Sequence, residues 1–462
     1  MSATTTTTTS AAATMAAPAH ERGWLARWER LWFGEASLVR LAVFRIVILV
    51  AAFDGVWVVR KAVFQRVAAL DPVFLRRTFH PIYAFELLGL GPPGPVAATV
   101  VWSALLAALA LGILGLFTRA ACGVAALLTC YWIGSEYSFG KPHHTCVALA
   151  FALLALPFAP VGARLSLDSL RRRWRAARGG VAWSAPARAE WAAFPLVLTQ
   201  LTIALGYFFA AATKLGKSGA GWANGYTLMG ILVEYESAWS PFLMRHREWL
   251  ALMSVGLLLV QLGFPLIFLG AWARWVFVPL AILFHLLAMQ TMSTGPFLTL
   301  WLALAAFVAL ERVPAFLRST VGAGPAWRRL ALALVLAALA YETAALYLEK
   351  KPAWFVWALV PLAYAALLWS LPRFLPALEV VFDPRERSAR VAAAWIAACD
   401  WAGRIELRPV SGAGAGLLVG GVALDATHAR RSVLVRLPLA PLVAPFVWRA
   451  FGARARARTS PG

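Results

Sequence analysis

Apolar residues fill long uninterrupted stretches of this chain, and polar residues gather between the stretches instead of alternating within them. Stretches that cross or nearly cross a bilayer fall at Leu38 to Val59, Val96 to Phe117, Ala120 to Tyr137, Phe194 to Leu215, Trp249 to Leu269, Trp275 to Met292, Trp327 to Leu348 and Trp354 to Leu371. Two shorter ones, His144 to Phe158 and Gly295 to Leu310, are counted as spans too, which gives roughly ten helices within a range of about eight to ten. Ahead of them, Trp24, Trp28, Leu31 and Trp32 recur at i, i+4, i+7 and i+8 among Arg22, Arg27 and Arg30. That pattern predicts a helix lying in the headgroup region.

From about Pro376 the periodicity changes. LEVVFD reads as a strand, Arg387 to Trp401 as an amphipathic helix, RIELRPV as a second strand, and SVLVRLPL as a later strand followed by a helix through Phe451. The predicted fold is therefore an all-α polytopic membrane bundle over residues 21–372, followed by a small α/β domain over residues 376–452. Residues 1–20, rich in Thr and Ala, have neither a basic start nor an apolar core and are expected to be disordered, not a cleavable signal. Residues 453–462, with alternating arginines, are expected to be disordered as well.

Composition agrees with this reading. Of 462 residues, 61% are hydrophobic and 14% charged, with a mean hydropathy of +0.71, which leaves too little polar surface to cover a soluble globule. A formal charge of +22 raises the question of nucleic acid, but the basic residues sit in loops between apolar stretches and in the C-terminal part. Anionic membrane lipids are the expected partner, and nucleic acid is not. The densest cluster, Arg171, Arg172, Arg173, Arg175 and Arg178 around Trp174, marks its loop as cytoplasmic in a multi-pass protein of the cell membrane. Counting spans from there places both termini and the C-terminal domain in the cytoplasm, although Arg60, Lys61, Arg66, Arg76 and Arg77 then fall outside. Cys122, Cys130, Cys146 and Cys399 form no CxxC pair and no metal-type spacing, so they are read as packing residues and no metal is expected.

The candidate chemistry lies in polar residues placed where lipid is expected. The run LGYFFAAATKLGKSGAGWANGYTL, Leu205 to Leu228, puts Gly206, Ala210 and Lys214 on one helix face, where a neighbouring helix or a flat ligand can approach the amine. A lysine near a helix end ordinarily snorkels to the interface. Lysine is also the cation that burial converts most readily into a neutral base. In the ten-span arrangement His144, Lys214 and His285 come from separate helices and share the outer half of the bilayer, and each needs a partner or a watery cavity. His144 has a bland alternative as a solvated loop residue, and His285 as an interhelical hydrogen bond. Glu136 is the best-placed carboxylate partner. Asp54 and Arg45 are expected to form structural pairs with other helices, and Glu342 has no assigned role.

Several of these pieces together resemble the HTTM family, the membrane domain shared with vitamin K-dependent gamma-carboxylases, from about Trp24 to Phe316. They are ASLVRLAVFRIV around Arg45, GKPHHT, YFFAAATKL followed by WANGYTL, and FHLLAMQTMSTGPF. The resemblance implies that Lys214 is the base that deprotonates a reduced, vitamin K-like isoprenoid quinone. It also implies that His144 and His285 line the same cavity, with Gly206, Ala210, Trp222 and Glu136 as candidate cofactor-lining residues. Two departures qualify it. No large domain of the kind that holds protein substrate in the carboxylases follows Leu371, so carboxylation of protein glutamates is not expected. Thr213 also stands where the animal enzymes carry a second lysine. The C-terminal domain resembles a degenerate DCC-type, thioredoxin-like domain in which Pro384, Arg385, Glu386 and Arg387 follow Phe382 and Asp383 without any cysteine, which excludes dithiol chemistry at that turn. The alternatives to an enzyme are a non-catalytic lipid-binding or transport protein, and a scaffold acting through the C-terminal domain on an unidentified protein partner.

Overall fold

The computed structural model describes residues 23–54, 70–140, 146–184, 186–235, 237, 239–292, 304–307, 378–400, 405–412, 416–419 and 422–423. The expected disordered tails, His144, Glu342, the stretches at 327–348 and 354–371, and the later strand and helix of the C-terminal part lie outside these residues. Most of what is described is helical. Among the described residues three helices are long and apolar enough to cross a membrane: Pro95–Leu114, Phe194–Asn224 and Arg247–Phe268.

The chain begins with α1 (Trp24–Phe33), β1 (Ala36–Ser37) and α2 (Leu38–Asp54), and resumes with two short helices, α3 (Pro72–Thr78) and α4 (Tyr83–Leu87). Next come α5 (Pro95–Leu114), α6 (Thr118–Tyr137) and α7 (Val147–Ala155), the last prolonged by a 3-10 turn at Leu156–Phe158. Pro95 opens α5, where its missing N–H costs nothing, and Gly115 ends it in the left-handed region at φ 72°. After α8 (Leu167–Arg178) and β2 (Arg188–Ala189), α9 (Phe194–Ser218) runs into a 3-10 turn at Gly219–Asn224. The helices α10 (Tyr226–Glu234), α11 (Ser240–Arg245), α12 (Arg247–Gly263, extended by 3-10 residues Phe264–Phe268) and α13 (Ala271–Met292) follow.

In lipid, apolar burial gives no net drive for helices to associate, so close packing must hold them together. The shared core of α2, α5, α6, α7 and α9 is accordingly rich in alanine: Ala51, Ala52, Ala98, Ala125, Ala126, Ala152 and Ala204 alternate with Leu41, Leu105, Leu109 and Leu153. Gly134 lets the Phe85 ring lie directly on α6; a Cβ there would sit 2.4 Å from Cε1. Arg45, fully buried in α2, donates to the carbonyls of Val161 (2.7 Å) and Leu165 (2.5 Å). Arg45 thus pairs not with another helix, as expected, but with the backbone of the loop before α8, which it anchors to the bundle. The side chain of Asp54 lies outside the described residues.

The end of the bundle where α2 and α9 begin is tied twice. β1 pairs antiparallel with β2 (Ala36 opposite Ala189), which sets the start of α2 beside the start of α9. α1 follows the predicted amphipathic pattern. Trp24 and Trp28 are exposed, while Trp32 and Phe33 turn onto Phe194 at the head of α9.

The C-terminal unit consists of β3 (Leu378–Phe382), α14 (Arg387–Cys399), β4 (Ile405–Pro409), β5 (Gly416–Val419) and β6 (Val422–Ala423), in a sheet ordered β4-β3-β5-β6. β3 and β4 are parallel across α14, and β5 pairs antiparallel with β3 and β6. Leu378, Val380 and Phe382 are buried at period two against Ala393, Ile396 and Ala397 of α14. Burial of a large apolar side chain of this kind contributes about 1.5–3 kcal/mol. Ala177 of α8 belongs to the same core, and Trp174 meets Trp395 edge-on at 4.9 Å. Trp183 forms an antiparallel bridge to Leu407 on the edge of β4. The arginine cluster of α8 therefore divides. Arg173, expected among headgroup-facing arginines, is fully buried against Asp400, because α8 serves as a wall of the C-terminal unit.

Candidate functional site

The apolar helices α9, α12 and α13 bring a small polar group together. Lys214 lies one turn before the end of α9, half-buried, and its Nζ donates to the backbone carbonyl of Ala210 (3.3 Å) and to Oε1 of Gln261 on α12 (3.0 Å). The amine also stands 5.3 Å from the centroid of Trp222, which is buried in the 3-10 turn after α9. Side chains on a helix lean toward its N-terminus, and here the lysine follows that lean back down α9 instead of extending toward the nearer helix end. Gln261 lies 14 residues into α12, roughly 21 Å along its axis, and is buried.

Two turns earlier on the same face of α9, Tyr207 places its hydroxyl 2.7 Å from Nε2 of His285 on α13. Both are buried, and the Tyr207 ring stacks on Phe264 with centroids 4.5 Å apart. Phe264 is one turn beyond Gln261, so the two polar contacts share one wall. Together Lys214, Gln261, Trp222, Tyr207, Phe264 and His285 form an amine, an amide, a phenol and an imidazole set among flat rings. Such an arrangement is suited to proton exchange with an aromatic hydroxyl or to fixing an anionic headgroup.

The remaining sequence candidates are placed as follows. Ala210 contributes its carbonyl to Lys214, and Gly206 faces open space, with nothing within 4 Å of an added Cβ. Glu136 is half-buried near the end of α6, a helix that packs against α5 and α7. His144 lies outside the described residues, just before α7. Gln261 and Tyr207 were not singled out in the sequence. The available signals were a lone amide in the apolar run LLLVQLGF and a hydroxyl at the head of YFFAAATKL.

Beside this group lies an apolar cleft of about 220 Å³ between α10, α12 and α13, lined among others by Leu228, Gly256, Leu257, Leu283 and Ala288. Leu257 and Ala288 are helical neighbours of Gln261 and His285. Among the described residues no group of three or more His, Cys, Asp or Glu has the geometry to hold a metal ion. The four cysteines are free, three of them buried. Comparison with protein-family models, with curated proteins and with solved structures gives no match in any of the three.

Proposed function

We propose that the chain is a multi-pass membrane protein of the HTTM, carboxylase-like kind that takes a lipid-soluble hydroquinone as substrate, with Lys214 as the base that accepts its phenolic proton. The observation that carries this reading is the direction of the Lys214 amine, which turns inward to Gln261 and Ala210 within an apolar helix pair. The residues fit such a substrate. Trp222, Tyr207 and Phe264 offer faces to a flat ring, the Tyr207–His285 pair offers a second proton-exchanging group, and the adjoining cleft accepts an apolar tail. A base of this kind is effective in a dry site, and the apolar cleft beside the group supports that reading.

A specific observation favours a second reading. Nζ makes two donor contacts and stands over an indole ring, an environment that suits the ammonium form. On that reading Lys214 is a fixed positive anchor for a lipid headgroup, and no chemistry follows. Purified protein supplied with a reduced isoprenoid naphthoquinone and with dioxygen as the two-electron acceptor separates the two, with oxidation of quinol to quinone followed by absorbance and bound quinone by mass spectrometry of lipid extracts. A base at Lys214 predicts that Lys214→Ala and Lys214→Arg both lower turnover by about 10²–10⁴-fold. Full turnover in Lys214→Ala ends the base assignment, and function retained in Lys214→Arg alone establishes the anchor.

The C-terminal unit is read as a degenerate thioredoxin-like domain with a docking role on the cytoplasmic side. Its parallel β3-α14-β4 unit followed by an antiparallel hairpin supports that reading. At the turn where a dithiol would stand, Asp383 instead accepts from the backbone N–H groups of Arg385 (2.8 Å) and Gly412 (2.9 Å), which is structural work.

A further inference from the structure

A second cleft, of about 650 Å³, lies at the end of the bundle that carries α8, and none of its lining residues belongs to the Lys214 group. Its walls come from the start of α6, the loop after α7, the start of α8 and the segment around Trp183 and Pro186. Most of the lining is apolar, including Phe117, Ala120, Pro160 and Trp183, and the charged residues lining it are Arg119, Arg172 and Asp168.

These charges do not play equal parts. Asp168 accepts from the backbone N–H groups of Phe117 (3.1 Å) and Thr118 (2.8 Å) and from the Thr118 hydroxyl (2.7 Å), so its carboxylate is engaged in closing the first turn of α6. The two arginines are exposed but tethered. Arg119 donates from Nε to the Pro157 carbonyl (2.9 Å) and from Nη2 to that of Phe158 (3.4 Å), and Arg172 donates from Nη2 to the Gly162 carbonyl (2.6 Å). Each guanidinium has five N–H donors, so these contacts hold the side chains in place and leave further donors for an oxyanion. Phe117 and Phe158 flank the site and are exposed by 61% and 60%, as in the aromatic belt of a membrane protein. Phe117 also adopts φ 47°, an outlying conformation for a bulky side chain, and such strain tends to persist where a site requires it.

We propose that this cleft binds the phosphate of an anionic membrane phospholipid, with Arg119 and Arg172 holding the headgroup and the apolar wall receiving the glycerol and upper acyl chains. A tethered pair of guanidinium groups at the rim of an apolar cleft matches an amphiphile, whereas a soluble anion gains nothing from the apolar wall. This site is independent of any chemistry at Lys214 and gives a specific location to the general attraction that the charge of +22 implies.

The test uses the full chain in detergent, supplied with phosphatidylglycerol or phosphatidylcholine and read by native mass spectrometry. Wild type is expected to retain one phosphatidylglycerol in preference to phosphatidylcholine. Arg119→Gln with Arg172→Gln is expected to weaken that retention at least tenfold, and so is Ala120→Trp, which fills the cleft and leaves both arginines in place. Arg175→Gln with Arg178→Gln removes the same charge from the exposed end of α8 and is expected to change retention less than twofold. Equal loss in this control means diffuse attraction and overturns the site. Unchanged retention in the cleft variants overturns it as well, and so does displacement of the lipid by excess inorganic phosphate, which identifies a soluble anion.

Discussion

The guanidinium of Arg173 lies 2.5 Å from the carboxylate of Asp400, 227 residues further along the chain, and neither side chain has any exposed surface. Arg173 also donates to the Asp400 backbone carbonyl, and its guanidinium lies 4.9 Å from the Trp183 ring centroid, while Asp400 accepts from the N–H of Ile405 (2.9 Å). Burial presses the Arg173 pKa below its ordinary value and Asp400 opposes that shift, so the pair survives only as a unit.

Removal of one partner leaves the other charge buried and uncompensated. Arg173→Ala is expected to destabilise the contact between α8 and the C-terminal unit by about 3–5 kcal/mol, whereas Arg173→Met with Asp400→Leu costs much less. Limited proteolysis of the C-terminal unit checks this, since release at equal rates in both variants contradicts it.

The same contact fixes sidedness. With Trp183 bridged to Leu407, the arginine-rich loop and the C-terminal unit must lie on one face of a membrane. Cysteines introduced at Arg178 and Arg408 are expected to react with an impermeant reagent from one side, and a cysteine at Tyr226 from the other. Labelling of positions 178 and 408 from opposite sides contradicts the arrangement.

Asp168 supplies a pH dependence. Burial raises its pKa, but the hydrogen bonds from Thr118 and Phe117, with Arg172 nearby, outweigh that effect and hold it below the ordinary carboxylate value. Its stabilisation is therefore complete above the unfolded-state pKa of about 3.9 and declines as pH falls below it, toward the folded value. The group is partly solvated, so the effect is expected to stay under about 1 kcal/mol. Thermal unfolding in detergent between about pH 6 and 3 is expected to fall less steeply in Asp168→Asn than in wild type.

Gly115 combines φ 72° with a Cβ site 2.3 Å from Ser166 Cβ, whereas Gly89 has φ 62° and open space around it. Gly89→Ala is expected to cost about 1 kcal/mol of backbone strain, and Gly115→Ala that amount plus the displacement of Ser166, whose hydroxyl caps α8 by accepting from the Ser169 N–H. Unfolding midpoints check the order, and equal losses contradict it.

Gln261→Leu removes the acceptor that holds the Lys214 amine. A double-mutant cycle with Lys214→Met is expected to give a coupling of about 0.6–1.7 kcal/mol, the range for hydrogen bonds between membrane helices. A coupling near zero means the contact carries no stability.

Sequence alone determined where the chain is helical and apolar. Expected spans at Val96 to Phe117 and Phe194 to Leu215 correspond to helices at Pro95–Leu114 and Phe194–Ser218, and the order strand, helix, strand was legible between Leu378 and Pro409. Those features follow from local periodicity, which each segment carries within itself. Arg45 announced in the sequence only that it needed a partner, and Gln261 was not singled out there at all. That the partners are the carbonyls of Val161 and Leu165, and the amine of Lys214, was decided by how the helices pack. The inward turn of Arg173 was hidden for the same reason. A cluster of arginines on one short helix looks uniformly solvated until a distant carboxylate is folded against one of its faces, and no local pattern encodes contacts across 227 residues.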